Sequence, residues 1–215
     1  MIAESGPHVP IQVNYLRTHC EIRLVSKDET NRLTRECVRE LHAAVRMLRR
    51  DPKPLIITGN PKFFSAGAEL AEIQEISGSS ALDFARMGQD LMNAIAQFPC
   101  PVYAAIQGYC LGGGLDLALA CHRRVASPHA VFGHRGAALG LITGWGGTQR
   151  LPRIVGKARA LQMLVAAEKI QAKDALEIGL IDAIVGDPIT EAARRIRSTA
   201  TADPDSGSVC VVMES

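Results

Sequence analysis

Two turns rich in small residues carry the strongest chemical signal in this 215-residue chain. The sharper one, Gln107-Gly108-Tyr109-Cys110-Leu111-Gly112-Gly113-Gly114-Leu115-Asp116-Leu117, follows the apolar run Val102–Ile106 and opens a second apolar stretch over 115–121. The other, Gly59-Asn60-Pro61-Lys62-Phe63-Phe64-Ser65-Ala66-Gly67-Ala68-Glu69-Leu70, follows the apolar run Leu55–Thr58. Both read as a buried strand, a tight turn and a helix start. Glycine lets the backbone take unusual angles and lets another molecule approach it closely. The first N–H groups of a helix have no intrahelical partner, so they can face a negative oxygen. One N–H from each turn, converging on a point, is what an oxyanion hole needs. Asp116 adds an acid to the first turn of an otherwise apolar helix. It is either a proton carrier or water-orienting group, or a helix-end charge interacting with the dipole.

Other chemistries find no pattern. The six histidines form no H-x-x-x-H pair, and no cysteine–histidine cluster has ligand spacing, so no metal site is expected. There is no G-x-x-x-x-G-K phosphate loop and no G-x-S-x-G elbow. Ser65 as a hydrolase nucleophile has no histidine base placed beside it by any motif.

The elements that must position these turns are legible in outline. Residues 11–16 and 20–25 alternate as a hairpin does. Residues 33–50 have helical spacing, with Val38, Leu41, Val45 and Leu48 on one side and Thr34 as cap. A helix is expected over 68–76, broken by Gly78-Ser79-Ser80, and another over 81–98, ended by Pro99 and Pro101. Short strands follow at 123–126 and 130–132, and helices at 156–166, 172–178 and 188–197.

The composition fits one ordinary domain, with 47% hydrophobic residues and a formal net charge of only +2. Nothing here calls for nucleic acid as a partner. No apolar run approaches the ~18 residues of a membrane span, and the first 25 residues carry Glu4, Arg17 and Glu21 without an apolar core. Several of the six cysteines sit in apolar runs and read as buried reduced thiols, which fits a cytoplasmic setting.

The turn Phe64-Ser65-Ala66-Gly67-Ala68-Glu69-Leu70 and the turn from Gln107 to Asp116 resemble the two oxyanion motifs of the enoyl-CoA hydratase/isomerase, or crotonase, family. Gly140-Leu141-Ile142-Thr143-Gly144-Trp145-Gly146-Gly147-Thr148-Gln149-Arg150-Leu151-Pro152 is similar to its next signature, and Ile170–Ala175 with Gly179-Leu180-Ile181-Asp182 to a later one. The resemblance covers roughly residues 11–197. It implies an α/β fold, a crotonase-type spiral of repeated strand-strand-helix units that binds an acyl-CoA thioester. It implies that the N–H groups of Ala68 and Gly113 hold the thioester oxygen, with the Ala66 backbone near the adenine end of coenzyme A. Leu70, Gly112, Gly136 and Trp145 then lie at the substrate, Trp145 as a pocket wall or as core packing. Coenzyme A enters as part of the substrate and no separate cofactor is implied. A homo-oligomer, trimer or hexamer, acting in fatty acid metabolism is the usual context.

The chain departs from that family where protons move. The hydratase branch uses two glutamates, which fall on Asp116 and Gly136 here, and the aspartate of other branches falls on Gly144. Losing the second acid without a substitute costs about 3–5 kcal/mol of barrier. His134, two residues before Gly136, is the nearest replacement in the sequence, since histidine titrates near neutral pH. The alternative is a histidine packed against Gly140 or bonded to backbone. Lys27, Arg32 and Lys62 are candidates for the coenzyme phosphates or ordinary surface charges, and Thr30 stands where the family often has a basic residue.

The expected organisation is a loose arm over 1–10, a crotonase-like domain over 11–197 and an irregular tail over 198–215. The C-terminal helical part is shortened, without the helices that cover the acyl site in relatives. The expected function is acyl-CoA binding with enolate stabilisation, using Asp116 and His134 as an atypical acid-base set. The alternative is a non-catalytic acyl-CoA-binding or subunit-forming relative.

Overall fold

A computed structural model describes residues 9–201. Residues 1–8 of the expected arm and 202–215 of the expected tail lie outside the described residues. The chain begins with β1 (Ile11–Tyr15), β2 (Cys20–Leu24), β3 (Arg32–Leu33) and α1 (Arg35–Leu48). It continues with β4 (Leu55–Thr58), β5 (Phe63–Ser65), β6 (Gly67–Ala68), α2 (Leu70–Gln74) and α3 (Gly78–Ala96). Next come β7 (Val102–Ile106), β8 (Tyr109–Leu111), α4 (Gly113–Ala120), β9 (Arg123–Ala126) and β10 (Val131–Gly133). A 3-10 turn (Gly136–Leu139), α5 (Gly147–Val155), α6 (Lys157–Val165), β11 (Ile170–Gln171), α7 (Ala172–Glu177), β12 (Ala183–Ile184) and α8 (Pro188–Thr201) complete it.

These elements form the expected spiral. The large sheet has the order β1-β2-β4-β7-β9-β12, and the smaller one β11-β10-β8-β5. Apart from the antiparallel hairpin β1–β2, every pairing in the large sheet is parallel. Three times a strand of the large sheet is followed by one of the small sheet: β4 by β5, β7 by β8, β9 by β10. Each pair then feeds into a helix, so each turn of the spiral delivers one strand-to-helix corner to the same side. β4 and β7 are buried along their whole length, which explains their unbroken apolar sequence. The main core runs through the sheets, α1, α3 and α4, while α8 places Ala192, Ala193 and Ile196 on the outer face at Ile56, Ala105 and Val125.

Several boundaries moved for local reasons. Thr34 caps α1 by accepting from Cys37 N, as its position implies. Gly67 and Ala68 pair in parallel with Arg32 and Leu33, so α2 starts only at Leu70, capped by Glu69. Gly78-Ser79-Ser80 does not break a helix but forms the first turn of α3, because Ser77 and Ser80 make a capping box. Helix α8 runs to Thr201, past the expected tail boundary at 197. Cys20, Cys37, Cys110 and Cys121 are buried free thiols, and burial pushes Cys37 and Cys121 up to about 12.

Asn31 joins the first corner to the turn before β3. It is 2% exposed and held at φ 51°, a left-handed conformation that asparagine tolerates better than most residues. Its Nδ2 donates to Phe63 O (2.8 Å), and its own carbonyl accepts from Ser65 Oγ (2.7 Å). Asn31→Ala removes one of the two hydrogen bonds to Phe63 O, which keeps that from Asn60 N (2.9 Å), and puts alanine at positive φ. The expected loss is about 1–3 kcal/mol, read as a lower urea midpoint with unchanged slope.

Candidate active site

The two corners meet backbone to backbone. Gly112 caps α4 at φ 51°, a conformation that favours glycine. Leu115 N and Asp116 N are the first to bond back, to Gly112 O (2.9 and 3.1 Å). The N–H groups of Gly113 and Gly114 therefore precede the first intrahelical bond. The other corner is tied by Ala66 N to Thr30 O (2.9 Å) and by Gly67 N to Ser65 Oγ (3.1 Å). A Cβ added to Gly113 would lie 3.3 Å from Ala68 N, and one added to Gly67 would lie 3.1 Å from Gly113 N. Glycine is required on each side because a Cβ would overlap the Trp145 ring at Gly113 (2.7 Å) and Leu111 O at Gly67 (2.7 Å, φ 98°).

A cavity of about 920 Å³ opens at this junction. Its outer wall is apolar, with Leu139, Ile142, Leu161 and Val165 more than half exposed toward it or its mouth. Its polar floor is Asp116, His134 and Thr143. Asp116 is 2% and His134 4% exposed. His134 Nε2 lies 3.3 Å from Asp116 Oδ1, and neither atom has a hydrogen-bond partner. They face each other at contact distance but off the line of a hydrogen bond. The other carboxylate oxygen, Oδ2, accepts a short hydrogen bond from Thr143 Oγ1. The N-terminal turn of α4 adds a favourable dipole for the negative charge. Arg150 donates to Asn93 Oδ1 (2.7 Å) and Trp145 O (3.3 Å). Burial lowers its pKa, and the charge of Asp116 opposes that shift.

All nine residues singled out from the sequence line this cavity: Ala66, Ala68, Leu70, Gly112, Gly113, Asp116, His134, Gly136 and Trp145. Trp145 is both wall and core, 3% exposed, with Nε1 bonded to Phe84 O (3.2 Å) and its ring 5.3 Å from that of Phe84. Gly136 does more than lack an acid. It starts the 3-10 turn, its carbonyl accepts from Leu141 N (2.8 Å), and a Cβ there would meet Leu141 O at 2.8 Å. Gly144 differs, since a Cβ there meets only Ala85 Cβ at 3.8 Å. Ser65 is fully buried and bonded to Asn31 O and Gly67 N, a brace for the corner rather than a nucleophile. Arg32 pairs with Glu69 (3.1 Å) and Lys62 with Glu29 (2.9 Å).

Sequence reasoning missed Thr143, Gly147 and the helix α5 that begins there. Pro152 lies inside α5 and two glycines precede it, so its sequence does not read as helical. The available signal was Thr143, a hydroxyl inside the third signature block. No group of three or more histidine, cysteine, aspartate or glutamate residues that could hold a metal occurs among the described residues.

A family model described as enoyl-CoA hydratase/isomerase matches residues 17–207. A probable enoyl-CoA hydratase of Bacillus subtilis (strain 168) is 43% identical over 154 residues, covering 70% of this chain and 60% of that protein. The chain thus spans less than two thirds of that curated relative's length. Among solved structures, Pseudomonas aeruginosa DspI is similar with a TM-score of 0.85 and 32% identity, covering 94% of this chain and 84% of that one. An enoyl-CoA hydratase from Bacillus anthracis has a TM-score of 0.81 and 32% identity, with 92% and 78% covered.

Gly147 and Gly144 make a matched pair for testing the floor. A Cβ at Gly147 would overlap Asp116 Oδ1 and lie 2.9 Å from His134 Nε2. Gly147→Ala is expected to destabilise by about 1–3 kcal/mol through overpacking. Gly144→Ala is expected to change stability by no more than about 0.5 kcal/mol. Thermal denaturation of the two variants checks the contrast; equal melting temperatures would mean that the floor is not packed as described.

Proposed function

This chain belongs to the enoyl-CoA hydratase/isomerase family, and from that premise we propose that it binds an acyl-CoA thioester, stabilises its enolate and moves protons through one Asp116–His134 unit. The observation that carries this reading is the contact of Asp116 Oδ1 with His134 Nε2 (3.3 Å) on the floor of a cavity where the two glycine corners meet. With the thioester oxygen between the N–H groups of Ala68 and Gly113, charge that develops on it is stabilised by two preorganised donors. The apolar wall accepts the acyl chain.

The proton steps then fall to a single unit. The negative charge of Asp116 Oδ1, 3.3 Å from Nε2, favours a proton there, which leaves Nδ1 to exchange a proton with the ligand. In hydration, water gives a proton to the imidazole as its oxygen bonds to carbon three, and the imidazolium returns a proton to carbon two. In isomerisation the same ring takes a proton from one carbon and returns it to another through the enolate. Either route needs one base in two roles, which matches a floor with no carboxylate at Gly136 or Gly144. The hydratase names of the relatives favour the first route.

The test is a panel of acyl-CoA thioesters with two readouts, deuterium uptake at carbon two for enolate formation and product analysis for the net reaction. His134→Gln is expected to lower turnover by about 10²–10⁴-fold while leaving acyl-CoA affinity nearly unchanged. In a folded Gly113→Pro variant, loss of one N–H donor is expected to cost about 10²–10³-fold in turnover. Tight acyl-CoA binding by the wild type with neither exchange nor product would replace this reading with the non-catalytic binder.

A further inference from the structure

The segment between the 3-10 turn and α5 holds a group that nothing so far has given a role. Thr143 sits there, on the cavity floor, and its Oγ1 donates to Asp116 Oδ2. We propose that Thr143 is a positioning residue that pins one carboxylate oxygen of Asp116 and so presents the other to His134. The catalytic consequence rests on the function proposed above, but the geometry does not.

A carboxylate can rotate about its Cβ–Cγ bond, and this terminal torsion is broad and roughly two-fold. Asp116 is 2% exposed, so water cannot hold its orientation. With Oδ2 engaged by Thr143, Oδ1 is the oxygen that faces Nε2 of His134 at 3.3 Å, and both of those atoms are buried without a hydrogen bond. Releasing Oδ2 would let the carboxylate turn and move its negative oxygen away from Nε2, removing the charge that favours a proton on that nitrogen.

The hydroxyl is itself held from outside its own loop. Gln89 Nε2 on α3 donates to the carbonyl of Gly144 (2.7 Å), the next residue after Thr143. One residue further, Trp145 Nε1 is anchored on Phe84 O of the same helix (3.2 Å). Thr143 Cγ2 lies 2.7 Å from where a Gly147 Cβ would be, so the methyl group fills the space left by that glycine. A β-branched side chain is stiff about its first torsion, and here its two branches have separate neighbours, the carboxylate and Gly147. Because the hydroxyl proton is directed at Oδ2, Thr143 acts through Asp116 and not on the substrate.

The test reads the histidine ring directly. Long-range nitrogen–proton correlation spectra of imidazole-labelled protein report which ring nitrogen carries a proton, and the His134 signal is identified by its loss in His134→Gln. In wild type, Nε2 is expected to carry a proton. Thr143→Val keeps the shape and removes the donor, so the ring should shift toward the other tautomer or a mixture. Thr143→Ser keeps the donor and should restore the wild-type pattern; Thr143→Ala replaces Thr143→Val if that variant fails to fold. On a thioester that the wild type turns over, Thr143→Val should lower kcat by about 10–100-fold, the worth of one hydrogen bond to a charged group, with KM nearly unchanged and kcat largely rescued by serine. A ring pattern in Thr143→Val identical to wild type, or a wild-type ring with no proton on Nε2, would overturn the proposal. If no thioester is turned over, the proposed function fails, while the ring spectra still decide the role of Thr143.

Discussion

A carboxylate held at 2% exposure inside an apolar helix has lost most of its hydration, and the surrounding structure must replace it. Asp116 has three supports: the Thr143 hydroxyl on one oxygen, the His134 ring beside the other, and the N-terminal turn of α4 beneath. They come from two corners of the spiral: the histidine and the hydroxyl from the connection between β10 and α5, the helix turn from the corner after β8. Their convergence therefore requires that these corners be delivered to one side. The alternation of strands between the large and small sheets does this, since every turn of the spiral returns the chain to the same edge.

The same requirement explains where side chains are forbidden. Gly147 leaves the volume in which Asp116 and His134 meet, and Gly67 and Gly113 let the two corners touch through backbone. Gly88 on α3 lies under Trp145, whose ring a Cβ there would overlap, and the ring in turn covers Gly113. Trp145 thus links the helix at the back of the site to the corner at its front. Its indole N–H is satisfied by Phe84 O, as a buried tryptophan requires.

Gly136 and Gly144 are glycines in different surroundings. At Gly136 the 3-10 turn places Leu141 O where a side chain would begin. At Gly144 there is room, and no backbone demand accounts for glycine. The histidine two residues before Gly136 lies on the floor from the same loop.

The two glycine corners, Thr34 as a helix cap, the hairpin of β1 and β2 and the continuous apolar strands were legible in the sequence. Their signals are local: periodicity, turn residues and capping chemistry act within a few positions of one another. Asp116 was legible for the same reason, as a lone acid among apolar neighbours. The pairing of Asp116 with His134 joins residues on different turns of the spiral, and the sequence supplied only the candidates. Helix α5 was hidden because Gly146, Gly147 and Pro152 oppose helix locally, while Leu151 is fully buried in the core. Thr143 stood inside a signature block, but a hydroxyl has no periodic signature that would give it a role. Its partner is set by contacts from α3 to the residues that follow it. Short-range preferences thus determined which corners exist and which residues stand at them. Only packing between distant segments decided which oxygen of Asp116 faces His134, because that orientation is set by neighbours far away in the chain.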